Sequence, residues 1–257
     1  LAAQGFSVSL DYLGENVGTA MEAEAATAVY REAIERITAA SLPANVSVKL
    51  TQLGLDVDAE LAHANAAKLA DLAAAHDTTV TLDMEDHTYT DRTIEACLRL
   101  DAEFPGRAGI ALQTYLYRSP ADLERLVGVP VRLCKGAYRE PDDIAHPRKA
   151  DVDRAFARML ARLMQAGRYP MIATHDQRLI RFARRRAAEC RRDPATFEFQ
   201  MLYGIRRDMQ RRLLDDGYRV RVYVPFGSHW YPYLVRRLAE RPANLFFFAS
   251  QFGRPGR

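Results

Sequence analysis

Asp11, Lys49, Asp83, Gln113, Arg132, Lys135, Tyr138, His175, Glu198, Gln200 and Tyr223 share a setting. Each stands in an apolar, β-branched run, and most stand late in it. A polar or charged group in such a run costs free energy if it is buried without a partner. One such residue is explained as a capped strand end. The same feature in eight successive runs points to a polar ligand site. The set holds fixed cations (Lys49, Arg132, Lys135) together with carboxylates, amides and tyrosines. It contains no nucleophile elbow, no Ser/His/Asp arrangement and no dense His/Cys cluster. His87, close to Asp83, Glu85 and Asp86, offers metal-ligand types, but no second cluster at ligand spacing supports a metal. An imine-forming Lys49 or Lys135, as in barrel aldolases, is the alternative chemistry to set beside ligand orientation.

A second signal lies near the C-terminus. Tyr233, Arg236 and Arg237 sit at i, i+3 and i+4 and share one helix face. Adjacent guanidinium groups make a fork for a carboxylate or phosphate. A solvated helix surface accounts for the spacing equally well.

The elements that must position these residues alternate in a regular way. Strands are expected at 7–13, 45–51, 79–84, 108–116, 130–138, 169–175, 197–202 and 219–227. Helices are expected over 20–39, 57–76, 90–103, from Ser119, and over 150–166, 176–191, 206–216 and 231–240. Eight strands each followed by a helix imply parallel pairing with right-handed crossovers. That count favours a closed (β/α)8 TIM-type barrel over an open doubly wound sheet, and the 257 residues suffice for one such domain. No G-x-G-x-x-G follows the first strand, which removes the main reason for a Rossmann reading. In a barrel of this class the polar set belongs at the C-terminal strand ends. The longest connection, 139–150, is charged and contains proline; it suits a lid or an ordinary surface loop.

Composition narrows the function classes. The chain is 48% hydrophobic and 27% charged, with a net charge of +3. That sum hides arginine clusters at 184–186, 191–192, 206–207 and 211–212. They read as solvated helix faces or as a surface for an anionic partner such as a membrane. No basic motif interleaved with aromatics suggests nucleic acid. Cys97, Cys134 and Cys190 are an odd, unpatterned set, which fits a reducing cytoplasm. No apolar run reaches the roughly 18 residues of a membrane helix, and no signal peptide is visible. The chain opens without Met and almost directly into a strand, so a longer N-terminus is expected in the natural protein.

The motifs LDYLGE (10–15), SVKLT (47–51), LDMED (82–86), LQTY (112–115), VRLCKGAY (131–138), ATH (173–175), FEFQML-G (197–204) and YLVRR (233–237) resemble the successive strand motifs of proline dehydrogenases. They follow the family's order and spacing over nearly the whole chain. The resemblance implies a distorted (β/α)8 barrel with non-covalent FAD that oxidises L-proline to Δ1-pyrroline-5-carboxylate. By the same resemblance, Lys49, Arg236 and Arg237 hold the proline carboxylate, and Asp83, Tyr138, Leu202, Tyr223 and Tyr233 wall the substrate ring. Glu15 forms part of a gate. Asp83 and Arg132 are the residues it implies for catalysis, with Arg132 against the flavin near N5. Gln113 meets the pyrimidine edge of the flavin, and Met84 contacts the flavin through its backbone. Lys135, Gly136, Ala137, Thr174 and His175 bind the phosphates and ribityl chain, and Glu240 reaches the adenosine ribose. The resemblance also implies a membrane quinone as electron acceptor, peripheral contact at the inner face of the membrane, and a separate glutamate-semialdehyde dehydrogenase to take the product. It further implies that the segment preceding Leu1 is helical. Tyr203 is given no role. The proton acceptor for the proline amine is left open, with water as one answer.

Overall fold

The computed structural model describes residues 1–228. Eight parallel strands, β1 (Ser7–Tyr12), β2 (Ala44–Val48), β3 (Val80–Leu82), β4 (Ala108–Gln113), β5 (Pro130–Cys134), β6 (Tyr169–Ala173), β7 (Glu198–Leu202) and β8 (Arg219–Phe226), close into a barrel in chain order. Between them run α1 (Ala20–Ala39), α2 (Ala59–Ala75), α3 (Thr90–Glu103), α4 (Ser119–Leu126), α5 (Lys149–Ala166), α6 (Gln177–Glu189) and α7 (Arg207–Asp215). Closure is made by β1 and β8, in register from Ser7 opposite Arg221 to Tyr12 opposite Phe226. The expected helix at 231–240 lies outside the described residues.

Three of the helices, α1, α2 and α6, start where a side chain satisfies a free N–H group. Thr19 accepts from the Glu22 amide and Asp58 from the Leu61 amide. Asp176 caps α6 in the same way through the Arg178 amide. Outward-facing Val46, Val48, Leu82, Ile110, Leu112, Val131, Leu133, Ile172, Phe199, Val220 and Val222 are fully buried under the helices and form the main core. Burial of this apolar layer is the dominant favourable term of folding.

The inside of the barrel is different. Most of the alternate residues there are polar: Ser9, Asp11, Asn45, Ser47, Thr81, Asp83, Arg132, Glu198 and Gln200, all buried, with Ala111 and Met171 in register beside Arg132. A TIM barrel interior is usually filled by aliphatic side chains, so this one needs internal partners for its polar groups. At the N-terminal end Arg221 donates to Glu198 Oε1 at 2.7 Å, to the Val8 carbonyl at 2.9 Å and to Asn45 Oδ1 at 3.2 Å. Burial works against a charged Glu198, but Arg221 outweighs it and holds the carboxyl below its ordinary range. Glu198 is the first residue of β7, so it belongs to this lower layer and not to the C-terminal face where the strand-end argument placed it.

One arginine cluster also departs from the solvated-face reading. Arg192 reaches back over the end of α5 and donates to the carbonyls of Met164 at 3.1 Å and Gly167 at 2.7 Å. It satisfies backbone acceptors that the helix end leaves open. In α6 and α7 the arginines lie on exposed or half-buried helix faces, several in short-range ion pairs such as Arg185 with Glu189 and Arg212 with Asp208.

Candidate active site

Several strands end earlier than their apolar runs. β2 stops at Val48, β5 at Cys134 and β6 at Ala173. Lys49, the segment 135–138 and the pair 174–175 therefore stand just past the strands, on loops at the C-terminal face. Loops on a rigid scaffold are where binding groups are free to converge.

The centre of that face is one charged network. Lys49 Nζ lies 3.0 Å from Asp11 Oδ1, 3.4 Å from Asp83 Oδ2 and 3.9 Å from Glu15 Oε2. Asp83 also accepts from the Tyr223 hydroxyl at 2.6 Å and the Ser47 hydroxyl at 2.7 Å. On its far side it pairs with the Arg132 guanidinium. Arg132 donates further to Gln200 Oε1 at 2.6 Å and Ser47 Oγ at 2.8 Å, and lies 5.2 Å from the centre of the Tyr223 ring. Thus Lys49, Asp83, Arg132, Tyr223 and Glu15 are brought together. Asp11, Ser47 and Gln200 complete the network. The sequence reading noted Asp11 and Gln200 on their strands without a role and did not single out Ser47. The missed signal is the period of two in β2, which puts Asn45, Ser47 and Lys49 on one face.

The charges follow from this geometry. Burial disfavours the Lys49 ammonium, but Asp11, Tyr223 and Asp83 outweigh burial and push its pKa well above the usual lysine value. Burial raises Asp83, yet Lys49, Arg132 and the bonds from Tyr223 and Ser47 bring it below the ordinary range. Asp11 has fewer donors, and burial pushes it up. An imine-forming lysine must be neutral to attack. Lys49 is held in the opposite, charged state by its buried neighbours.

Around this centre stand the other expected residues. Gln113 is buried; its Nε2 donates to the Glu85 carbonyl at 2.7 Å and its Oε1 accepts from the Ala137 amide at 3.3 Å. A side-chain amide keeps a second N–H and a second lone pair after two such bonds. The Met84 side chain is buried in the outer core. Tyr138 lies near Lys49, Glu15 and Glu85; burial first, then the two carboxylates, push its hydroxyl pKa up, against Lys49. Lys135 Nζ contacts Asp153 at 2.5 Å and Asp176 at 3.3 Å. Thr174 Oγ1 accepts from the Asp176 amide at 3.1 Å. His175 Nε2 accepts from the Leu202 amide at 3.0 Å, which assigns the ring proton to Nδ1. Tyr233, Arg236, Arg237 and Glu240 lie outside the described residues.

Gly136 has a local requirement. Its φ is +123°, and a Cβ there falls 2.3 Å from Cδ1 of Tyr115. Gly136→Ala is expected to destabilise the protein by roughly 1–3 kcal/mol or more through backbone strain and clash. Thermal unfolding checks this; an unchanged Tm contradicts it.

In the sequence Glu85 stands out only as one of the metal-ligand types beside His87. Burial, opposed by hydrogen bonds from the Thr51 hydroxyl and amide, raises it from 4.5 to about 7. Between those values the folded protein holds a proton that the unfolded chain has released. The resulting stability is fully present below the unfolded value and is lost as pH rises through the folded one, a change of about 3 kcal/mol. Glu85→Gln is therefore expected to flatten the fall in Tm between acid and neutral pH. Parallel Tm curves for the two proteins contradict it.

A closed (β/α)8 barrel with a convergent charged cluster at its C-terminal face is the plan of a small-molecule enzyme. A model of the proline dehydrogenase family matches residues 1–250, and the chain belongs to that family. It is 40% identical to proline dehydrogenase 2 of Bacillus subtilis over 249 residues, covering 96% of this chain and 82% of that one. It is also 40% identical to a proline dehydrogenase of Deinococcus radiodurans over 253 residues, with the same shares. The structure resembles proline utilization A (PutA) from Bdellovibrio bacteriovorus inactivated by N-propargylglycine, with a TM-score of 0.84 and 26% identity over 92% of this chain. It resembles PutA from Corynebacterium freiburgense with a TM-score of 0.81 and 25% identity over 95% of this chain. The chain spans about 30% of those longer PutA chains. The aldolase alternative is not supported, by these relatives or by the charge state of Lys49.

Proposed function

We propose that this barrel oxidises L-proline to Δ1-pyrroline-5-carboxylate with non-covalent FAD, and that the network around Asp83 orients the reaction. The observation that carries the reading is the buried row Lys49–Asp83–Arg132. It sets one charged lysine toward the mouth and one guanidinium across the barrel axis. When bound, FAD supplies the acceptor for the hydride that leaves proline C5.

The residues present fit such a cofactor. Beside Lys135 stand Lys149 and Arg178, three cations against the two carboxylates Asp153 and Asp176. That excess suits a diphosphate. Lys135, the Gly136–Ala137 backbone, Thr174 and His175 would hold the phosphates and ribityl chain. Gln113 and the Met84 backbone would hold the ring system, Arg132 would lie beside it, and Glu240 would reach the ribose.

Proline offers a carboxylate, a secondary amine and an apolar ring. Lys49 with Arg236 and Arg237 would fix the carboxylate. Tyr138, Leu202, Tyr223 and Tyr233 would wall the ring, and Glu15 would gate the mouth. Asp83 acts through its neighbours by fixing Lys49, Tyr223 and Arg132 at once. Positioning of this kind is the main protein contribution to hydride transfer. The proton acceptor for the proline amine is left open, with water as one answer.

Electrons would pass to a membrane quinone, with the arginine-rich α6 and α7 offering a surface for peripheral contact at the inner face of the membrane. Among the described residues no helix is long and apolar enough to cross a membrane. A separate glutamate-semialdehyde dehydrogenase would take the product. Arg236→Met tests the carboxylate assignment: loss of a charged partner is worth about 1.5–3 kcal/mol, so KM for proline should rise roughly ten- to a hundredfold while FAD stays bound. An unchanged KM removes Arg236 from the site.

A further inference from the structure

Glu140 lies near the start of the loop between β5 and α5, its side chain is only 3% exposed, and no role above uses it. Its carboxylate joins three loops of the C-terminal face. From the loop after β3, the His87 backbone amide donates to Oε1 at 2.9 Å and His87 Nδ1 lies 2.5 Å from Oε2. From the loop after β4, the Tyr115 hydroxyl donates to Oε1 at 3.2 Å. Glu140 itself follows β5.

Tyr115 in turn shapes the segment 135–138. Its amide donates to the Lys135 carbonyl at 2.9 Å. Its ring lies against Gly136 so closely that no side chain fits there. The Tyr138 amide faces its hydroxyl, and burial together with Glu140 keeps that hydroxyl protonated. The rest of the loop is already pinned to the same strand end. The His146 amide donates to the Tyr115 carbonyl at 2.8 Å, and the Tyr117 amide to the Ile144 carbonyl at 3.1 Å. Those backbone bonds suffice for a strap. A buried carboxylate adds a desolvation cost unless its bonds are made, and its bonds here fix the His87 ring and the Tyr115 ring, the second of which packs against Gly136.

We propose that Glu140 is a positioning residue for the cofactor: through Tyr115 it fixes the Gly136–Ala137 backbone, and so sets the affinity and spectrum of the bound flavin without touching it. The proposal rests on the flavin reading above. It is tested by titrating the full-length apoproteins of wild type, Glu140→Ala, Glu140→Gln, Tyr115→Phe and the Glu140→Ala/Tyr115→Phe pair with FAD. The readouts are flavin fluorescence, the visible spectrum, and the thermal stability of each apoprotein. The expected result is tight binding by wild type and Kd raised roughly tenfold in Glu140→Ala with shifted visible bands. Tyr115→Phe should show a smaller change in the same direction, and Glu140→Gln should recover much of the affinity. The double variant should be no worse than Glu140→Ala, since one chain of contacts is broken once. Unchanged Kd and spectrum in Glu140→Ala and Tyr115→Phe, with only apoprotein stability lowered, overturn the proposal and leave the flavin reading intact. Should Glu140→Ala not fold, Tyr115→Phe decides alone. A wild-type apoprotein that binds no FAD overturns both.

Discussion

Lys49→Met is expected to cost about 3–5 kcal/mol of folding stability at neutral pH and to abolish proline turnover. The stability loss arises because Asp11 and Asp83 are buried around the Lys49 ammonium, and removing one partner of a buried pair leaves an uncompensated charge. Asp83 keeps Arg132, so the burden falls on Asp11, which burial already pushes up. Without Lys49 its folded pKa rises further above the unfolded value. A raised carboxyl contributes stability at low pH that is lost as pH rises through the folded pKa. The deficit of Lys49→Met should therefore be small in acid and grow toward neutrality. Lys49→Arg keeps the charge and should retain measurable proline-dependent flavin reduction, with weaker binding because the planar guanidinium needs more room. Urea unfolding at two pH values and steady-state kinetics check both. A Lys49→Met protein as stable and as active as wild type contradicts the assignment.

Arg132→Met is expected to lower kcat by about a hundred- to a thousandfold, the range seen when one preorganised electrostatic contact to a developing charge is removed. Arg132 is the hub that ties Asp83, Ser47 and Gln200 across the barrel axis, so the same change should also lower Tm markedly. Arg132→Lys keeps a charge but cannot form the same fork and should fall between the two. KM for proline should change less than kcat, because the carboxylate is held elsewhere. A normal kcat in Arg132→Met removes this residue from the chemistry.

Much of the barrel was legible because its strands carry the right residues at the right period. β2 reads Ala-Asn-Val-Ser-Val, then Lys49, with polar groups inward and valines outward. The order and number of the eight strands needed nothing more. Strand ends were less legible. The run 130–138 stays apolar enough to read as strand, but pairing ends at Cys134, and Gly136 then adopts its positive φ against Tyr115. Glu198 looked like a site residue because polarity in a strand was visible while its height in the barrel was not. Arg192 looked like surface because its partners, the carbonyls at the end of α5, are 25–29 residues away. The Tyr115–Glu140 contact spans 25 residues and a loop, with no period to announce it. The family resemblance supplied Lys49, Asp83, Arg132 and Tyr223 with roles, and the structure brings those four into one network.

The most direct test is to add L-proline to the FAD-loaded protein without oxygen and follow the visible absorption. The flavin bands should bleach in proportion to proline, and the product should be the cyclic imine Δ1-pyrroline-5-carboxylate. Flavin bands that ignore proline, or a protein that takes up no flavin and gives a borohydride-trapped adduct on Lys49, would contradict the account.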